Sequence, residues 1–144
     1  MARYVTTVRT QQPAAEAFAY MADLRHFAEW DPGVKKVVQV KGDGAGAGAE
    51  FDVTVTGTTL RYVTEVYQPS AELVVVAKSR TLTSTDRVTV TADGDSTLVT
   101  YDALLELNGV LRIADPLLRL AFGRIGDRAA AGLRRVLDGH DVPR

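Results

Sequence analysis

The stretch from Asp115 to Leu137 reads DPLLRLAFGRIGDRAAAGLRRVL and predicts one long amphipathic helix. Asp115 is a favourable N-cap, Pro116 is a favourable first helical residue, and Gly139 stands where a left-handed residue can close the last turn. One face of this helix is apolar; it comprises Leu118, Ala121, Phe122, Ile125, Ala129, Gly132, Leu133 and Val136. Because an apolar face of this length needs a partner, we expect the helix to pack across a sheet.

Three glycines, Gly123, Gly126 and Gly132, lie inside this helix, where each costs about 1 kcal/mol relative to alanine. Two interpretations are open. The glycines could keep the helix thin and leave a cavity beneath it, or they could mark a kink or a close approach between helix and sheet. The first interpretation predicts that Gly126→Ala stabilises the protein, and the second predicts that it destabilises the protein.

The composition is that of an ordinary globular protein and excludes several classes of site. The 144 residues are enough for one domain, 1–144, with a real core. A net charge of −1 without a long run of one sign gives no reason to expect a nucleic-acid partner. Without cysteine, the chain has no disulfide, thiolate zinc site or cysteine nucleophile. Neither a signal peptide nor an apolar run of membrane-spanning length is visible, so we expect a cytoplasmic protein without stable membrane insertion.

The chain before the long helix alternates between apolar and polar residues as strands do. A first strand is predicted over Tyr4–Thr10, followed by two short helices over Ala14–Ala22 and Leu24–Trp30. Six further strands are predicted, over Val34–Lys41, Glu50–Thr56, Thr58–Tyr67, Leu73–Arg80, Thr83–Thr91 and Thr97–Leu107. The breaks between them are short, so neighbouring strands should pair antiparallel as a meander. The expected fold class is α+β, with a seven-stranded curved antiparallel sheet and the C-terminal helix packed across it.

Apolar alternation assigns the inner face of the later strands. The residues assigned to it are Phe51, Val53, Val55, Leu60, Tyr62, Val66, Val88, Val90, Val99, Tyr101, Ala103, Leu105 and Leu107. Tyr62 and Tyr101 are the most suggestive, because a buried tyrosine seeks a hydrogen-bond partner and a ligand oxygen could supply it. The alternative is an ordinary core tyrosine bonded to a backbone carbonyl. Asp86 lies two residues before Val88 and so has the same parity, that is, it lies on the same side of the strand. It could therefore point inward, but we expect it to be a strand-end aspartate in solvent.

Other motifs that could carry chemistry are weak. The glycine-rich run Gly42–Gly48 leads into a strand and lacks the Gly-Lys-Ser/Thr of a phosphate loop, so we expect a flexible hairpin loop. His26 and His140 are the only histidines; they are expected to be a partly exposed surface residue and a solvated tail residue, and they predict no metal site. Arg61 and Arg87 have the opposite parity to the apolar sets and should lie on the outer face of the sheet.

Three short motifs, in their order along the chain, resemble those of a known family. Residues 12–18, QPAAEAF, resemble its entry to the first helix, residues 22–34 contain its A-D…W-x-P-G-V stretch, and residues 94–101 resemble its last hairpin, G-G-T-x-V-T-Y. The chain therefore resembles the polyketide cyclase/dehydrase-like branch of the superfamily that includes the START lipid-transfer domains and the birch-pollen allergens. It departs from the pattern at residues 11–12, where Asp-Ala is usual, and at Ala17, where a larger aliphatic residue is usual.

The resemblance implies the helix-grip fold, whose members bind apolar small molecules between sheet and helix. Our first hypothesis is therefore a module that binds or transports a hydrophobic small molecule, without a cofactor or a metal. The residues expected to contact this ligand are Phe51, Leu60, Tyr62, Val88, Tyr101, Leu105, Phe122 and Ile125. We expect a monomer or a homodimer with no nucleic-acid partner.

Two alternatives remain open. The first is an enzyme of the polyketide cyclase or dehydrase kind, which would act by positioning the substrate and polarising a carbonyl, without metal or nucleotide. Tyr62 or Tyr101 could donate a proton in this reaction, and Asp86 or His26 could accept one. The second alternative is an interaction protein that uses the outer face of the sheet.

Overall fold

The computed structural model describes residues 2–55, 57–108, 115–138 and 140–141. Its strands are β1 (Ala2–Thr10), β2 (Val34–Lys41), β3 (Glu50–Val55), β4 (Thr58–Gln68), β5 (Glu72–Lys78), β6 (Leu82–Asp93), β7 (Ser96–Leu107) and β8 (His140–Asp141). Its helices are α1 (Ala14–Ala22), α2 (Phe27–Trp30), which follows a 3-10 turn over Leu24–His26, and α3 (Asp115–Leu137). The seven expected strands and the long C-terminal helix are confirmed, and the predicted strand ends differ from the observed ends by at most two residues.

All the strands belong to one antiparallel sheet in the order β2-β3-β4-β5-β6-β7-β1-β8. The meander from β2 to β7 is closed by β1, which pairs with β7 over its whole length from Ala2 opposite Leu105 to Thr10 opposite Thr97. His140 does not lie in a free tail, because β8 pairs with β1 through Arg9 opposite His140. The side chain of His140 is outside what the structure describes. With α3 against this sheet, the α+β helix-grip architecture is confirmed.

The two halves of α3 differ in burial. In the C-terminal half, Ala129, Leu133 and Leu137 are buried, and the hydroxyl of Thr10 in β1 donates a 2.6 Å hydrogen bond to the carbonyl oxygen of Leu137. In the N-terminal half, Leu117 is 74% exposed, Leu120 is 63% exposed and Ile125 is 46% exposed. Ala121, expected on the packed face, is also exposed. The helix is therefore buried at its C-terminal end and largely exposed towards its start.

The predicted caps of α3 fall largely outside the described residues. Nothing is described of the side chain of Asp115 or of Gly139, and the same holds for the side chain of Leu118. Asp138 directly follows the helix with a φ of 51°, so the chain turns left-handed at the end of α3, at Asp138.

The glycines of α3 are explained mainly by close packing. A Cβ atom on Gly126 would overlap the ring of Tyr4 in β1, and one on Gly132 would overlap the backbone carbonyl of Trp30 in α2. A Cβ atom on Gly123 would meet no heavy atom within 4 Å. The interpretation that the glycines thin the helix to leave a cavity is therefore wrong for Gly126 and Gly132, because both let neighbouring elements approach the helix.

The alternation of side chains along each strand correctly assigns the apolar residues to the inner face of the sheet, with one exception. A β-bulge interrupts the pairing of β4 with β5 between Thr64 and Val66. Beyond it, Val66 pairs with Val74, while Tyr67 pairs with Leu73 and packs against the core. Val66, predicted on the inner face, therefore lies on the outer one. The parity of a strand is preserved only as far as its first bulge.

The outer face carries ion pairs, as expected. Arg61 is exposed and lies 2.7 Å from Asp52, and Arg87 is exposed and lies 3.3 Å from Glu72. Residues 42–49 form the connection between β2 and β3, and the side chain of Gln39 holds this loop by hydrogen bonds to the backbone of Gly44. Among the helices in the described ranges, none is long and apolar enough to cross a membrane.

Candidate ligand-binding site

A cavity of about 540 Å³ lies between the inner face of the sheet, the turn after α2 and the middle of α3. Helix α3 packs on β1 and α2, and its C-terminal half is buried, whereas Phe122, Ile125 and Arg128 of α3 line the cavity. The walls are mainly apolar; they include Val53, Val55, Leu60, Leu82, Ala103, Leu105 and Phe122. The size and the apolar lining are typical of a small-molecule site.

Most of the residues predicted to contact a ligand lie at this cavity. Six of the eight line it: Leu60, Tyr62, Tyr101, Leu105, Phe122 and Ile125. Phe51 is fully buried in the packed core instead, and Val88 lines a separate space of about 20 Å³ beneath α1 and α2. Parity placed both correctly on the inner face, but it does not distinguish a core position from a cavity position. That the six residues bind a ligand stays a prediction.

Four buried polar side chains form one hydrogen-bonded cluster at the cavity, which we call the polar floor: Tyr62, Ser84, Asp86 and Tyr101. The Tyr62 hydroxyl donates to Ser84 Oγ at 2.8 Å, and the Tyr101 hydroxyl donates to Asp86 Oδ2 at 3.0 Å. Ser84 Oγ and Asp86 Oδ1, 3.4 Å apart, connect the two pairs. The polar floor thus presents hydroxyl and carboxyl oxygens to an otherwise apolar space.

The strand register explains how these groups meet. Tyr62 in β4 pairs with Ala77 in β5, which in turn pairs with Ser84 in β6, so the small side chain of Ala77 lets the tyrosine reach across one whole strand. Asp86 pairs with Ala103, and Tyr101 is its diagonal neighbour two residues earlier in β7. The polar floor is therefore built from three strands, with alanine as the spacer at the crossing point.

Asp86 is the residue whose environment differs most from the expectation. It is buried and is not a solvated strand-end residue. Its position on the same side of the strand as Val88 is the sequence feature that indicates an inward side chain. Burial raises the pKa of Asp86 to about 7, although the hydrogen bond from Tyr101 opposes the shift. Burial likewise raises the pKa of Tyr62 and of Tyr101, so both hydroxyls keep their protons near neutral pH.

Asp31 is a second buried carboxyl at the cavity, and it is not among the residues predicted from the sequence to contact a ligand. It ends α2 and closes an Asx turn, in which its Oδ1 accepts a 2.9 Å hydrogen bond from the backbone N–H of Gly33. Burial raises the pKa of Asp31, and the charge of Asp31 contributes to the raised pKa of Asp86. In sequence, Asp31-Pro32-Gly33 carries a turn signal, and nothing in that signal says that the carboxyl points into a cavity.

Helix α2 supports the polar floor from behind. The ring of Trp30 packs edge-on against Tyr101, with centroids 5.1 Å apart, and the ring of Phe27 packs edge-on against Tyr62 at 6.5 Å. His26, one of the expected proton acceptors, does not line the cavity. It stacks on the ring of Tyr20 at 4.4 Å, and its Nδ1 lies 2.8 Å from the carbonyl oxygen of Tyr20, so Nδ1 carries the proton.

The mouth of the cavity is formed by the lining residues that are exposed to solvent: Pro32, Lys35, Thr58, Ile125 and Arg128. Lys35 lies near the start of β2, just after the turn that follows α2. Arg128 lies on α3, about one turn after Ile125. In the sequence, nothing distinguishes Arg128 from the other arginines of this helix. Only the tertiary arrangement brings Arg128 together with Lys35 around one opening.

Comparison with known proteins places the chain in a family. Residues 1–138 match the family described as polyketide cyclase / dehydrase and lipid transport. The chain belongs to this family. The resemblance drawn from the three sequence motifs is thereby confirmed, since the match spans all of them. No curated protein sequence matches the chain significantly.

Solved structures share the fold of this family member at low sequence identity. A START superfamily protein from Mycobacterium smegmatis has a TM-score of 0.71 and 19% identity, covering 96% of this chain and 98% of its own. One half of StfQ, a di-domain ARO/CYC protein from the steffimycin biosynthetic pathway, has a TM-score of 0.69 and 13% identity over 95% of this chain. DR_A0006 from Deinococcus radiodurans has a TM-score of 0.67 and 13% identity, covering 95% of each chain. At these identities the likeness establishes the fold alone.

Proposed function

We propose that this family member binds a hydrophobic small molecule in the cavity between the sheet and α3. The observation that carries the proposal is the cavity itself, about 540 Å³ of space with apolar walls and one cluster of hydrogen-bonding groups. Small-molecule sites are typically of this volume and combine apolar walls with a few placed polar groups. The family description, which includes lipid transport, is consistent with a ligand of this chemistry.

The polar floor would determine which chemical groups the ligand carries at its inner end. The Asp86 carboxyl accepts hydrogen bonds when ionised and also donates one when protonated, and the pKa of about 7 makes both states accessible near neutral pH. The tyrosine hydroxyls are already used as donors to Ser84 and Asp86, so their lone pairs are what they offer to a ligand. A ligand with a hydroxyl or carbonyl group at its buried end fits this arrangement best.

A cavity-filling substitution tests the proposal. Val55 lines the cavity and is half-buried, so Val55→Trp should occupy ligand space, whereas Val63→Trp makes the same change on the outer face of β4. The neutral fluorophore N-phenyl-1-naphthylamine serves as an apolar probe. We expect wild type and Val63→Trp to bind it alike and Val55→Trp to bind it at least about tenfold more weakly. Equal binding by all three proteins, or no binding by wild type, contradicts the proposal.

Native protein supplies a second measurement. Mass spectrometry of an organic extract should find a hydrophobic molecule that copurifies with wild type and with Val63→Trp, and that is depleted from Val55→Trp. A molecule recovered equally from all three proteins would be a surface contaminant, and it would count against the cavity as its site.

A second candidate function is catalysis of the cyclase or dehydrase kind, and the buried Asp86 is the observation that favours it. A carboxyl whose pKa lies near 7 is matched to general acid–base work at neutral pH. Asp86 would remove a proton from the carbon beside a ligand carbonyl, while the apolar walls hold the substrate in place. Exchange of α-hydrogens for deuterium in the ketone 2-tetralone, followed by NMR, measures this step. Wild type should accelerate the exchange and Asp86→Asn should not; equal rates would exclude Asp86 as the base.

A further inference from the structure

The charges around the cavity are segregated by depth. Among the lining residues that the structure describes, the acidic ones, Asp31 and Asp86, are buried at the inner end of the cavity. The basic ones in the same set, Lys35 and Arg128, are exposed at its mouth. A molecule that enters therefore meets positive charge first and carboxyl groups last. Such an arrangement sets the direction in which a polar or charged ligand lies.

The two cations at the mouth are not held in ion pairs with any described residue, unlike the arginines on the outer face of the sheet. On the outer face, Arg3 is paired with Asp102, Arg61 with Asp52 and Arg87 with Glu72. Within the described part of the chain, neither Lys35 nor Arg128 has a carboxylate within salt-bridge distance. No described carboxylate neutralises their charges, which are therefore available to a ligand at the opening.

We propose that the mouth of the cavity binds the anionic group of an amphipathic ligand through Lys35 and Arg128. This inference rests on the proposed function, and it adds the chemical class and the orientation of the ligand. An anion at the inner end would face Asp31 and Asp86, whose ionised forms repel it. At the mouth the same anion lies beside two cations in a partly hydrated setting. The ligand thus places its apolar body against the walls and its charge at the opening.

Two fluorescent probes with the same aromatic skeleton separate this inference from the proposed function. 1-Anilinonaphthalene-8-sulfonate carries an anionic group, and N-phenyl-1-naphthylamine is its neutral counterpart. Lys35→Gln/Arg128→Gln removes both cations at the mouth. Lys36→Gln/Arg124→Gln is the matched control, because it removes one exposed cation from β2 and one from α3 outside the cavity lining and gives the same net charge.

We expect the Lys35→Gln/Arg128→Gln variant to bind the sulfonate probe about three- to tenfold more weakly than wild type, and the neutral probe with unchanged affinity. The control variant should bind both probes like wild type. Raising the salt concentration should weaken sulfonate binding to wild type and to the control, but not to the mouth variant. The salt titration of wild type gives an answer even if a variant fails to fold.

Three results would overturn the inference. If the mouth variant and the control weaken sulfonate binding equally, net charge is responsible and not the mouth. If sulfonate binding to wild type is insensitive to salt and to both variants while the neutral probe binds, the cavity binds ligands without an anion site, and the proposed function stands. If neither probe binds to wild type, the proposed function fails together with the inference.

Discussion

The hydroxyl of Tyr101 donates a 3.0 Å hydrogen bond to Oδ2 of Asp86, and both side chains are buried at the same cavity. A carboxyl in this position is costly to ionise, since burial removes the water that would solvate its charge. The hydrogen bond from Tyr101 recovers part of that cost. The carboxyl of Asp86, which lines the cavity, therefore also makes the stability of the protein depend on pH.

The first prediction concerns this pH dependence. In the unfolded chain, Asp86 ionises near a pKa of about 3.9, whereas in the folded protein its pKa is about 7. Between these values the folded state binds more protons, so the free energy of unfolding falls as the pH rises from about 4 to 7 and levels off above. The free energy of unfolding of the wild type should therefore fall between pH 5 and pH 8. In Asp86→Asn this fall should be smaller by an amount on the order of 2 kcal/mol. Urea denaturation at both pH values measures it.

Asp52→Asn is the control for this experiment. Asp52 is on the outer face, and its hydrogen bond from Arg61 lowers its pKa, so it is fully ionised in folded and unfolded protein across this pH range. Its replacement should shift stability equally at pH 5 and pH 8. The pKa of Asp31 is also raised, so the free energy of unfolding should retain some dependence on pH in every variant. If Asp86→Asn retains the whole wild-type slope, the carboxyl of Asp86 does not titrate as described.

The second prediction compares the two tyrosines of the polar floor. Tyr101→Phe leaves Oδ2 of Asp86 without its donor and should cost about 1–3 kcal/mol of unfolding free energy. Because that hydrogen bond lowers the pKa of Asp86, its loss penalises the ionised form, and the cost should be larger at pH 8 than at pH 5. Tyr62→Phe removes a bond to the neutral hydroxyl of Ser84 and should cost about 0.5–1.5 kcal/mol at both pH values.

Denaturation of both phenylalanine variants at the two pH values provides the measurement, and each variant serves as the control for the other. A cost of Tyr101→Phe that is the same at pH 5 and pH 8 would mean that its hydroxyl does not stabilise the ionised carboxyl.

Some of the candidate site could be predicted because strand geometry is periodic. Side chains alternate with a period of two, so Tyr62 and Tyr101 could be assigned to the inner face once their strands were recognised. The same rule predicts that Asp86 points inward. The expectation of a solvated Asp86 is wrong because the general preference of aspartate for solvent does not hold at this position. The bulge at residues 64–66 of β4 marks the limit of the rule, because an inserted residue reverses parity and leaves no clear trace in the sequence.

The rest depends on contacts between residues that are distant in sequence. Whether an inner-face residue meets the core or the cavity is decided by which distant elements cover it. This separates Phe51, which is in the core, from Leu60, which lines the cavity, although both are assigned to the correct face. The cluster of Lys35 and Arg128 likewise exists only after folding. Local patterns determine which elements form and which face is apolar, whereas the cavity is the space that those elements leave unfilled.

The last prediction uses the glycines of α3, which have the same local pattern and different neighbours. Gly123→Ala meets open space, so it should stabilise the protein by about 0.5–1 kcal/mol through better helix propensity and a more restricted unfolded chain. Gly126→Ala must push the ring of Tyr4 away and should destabilise it by about 1–3 kcal/mol. Gly132→Ala meets the backbone of Trp30, which cannot rotate aside, and should cost more than Gly126→Ala. Thermal or urea denaturation ranks the three variants, with Gly123→Ala as the internal control for propensity. Should Gly126→Ala stabilise the protein as Gly123→Ala does, α3 would not pack against β1 at this position, and the thin-helix interpretation of Gly126 would return.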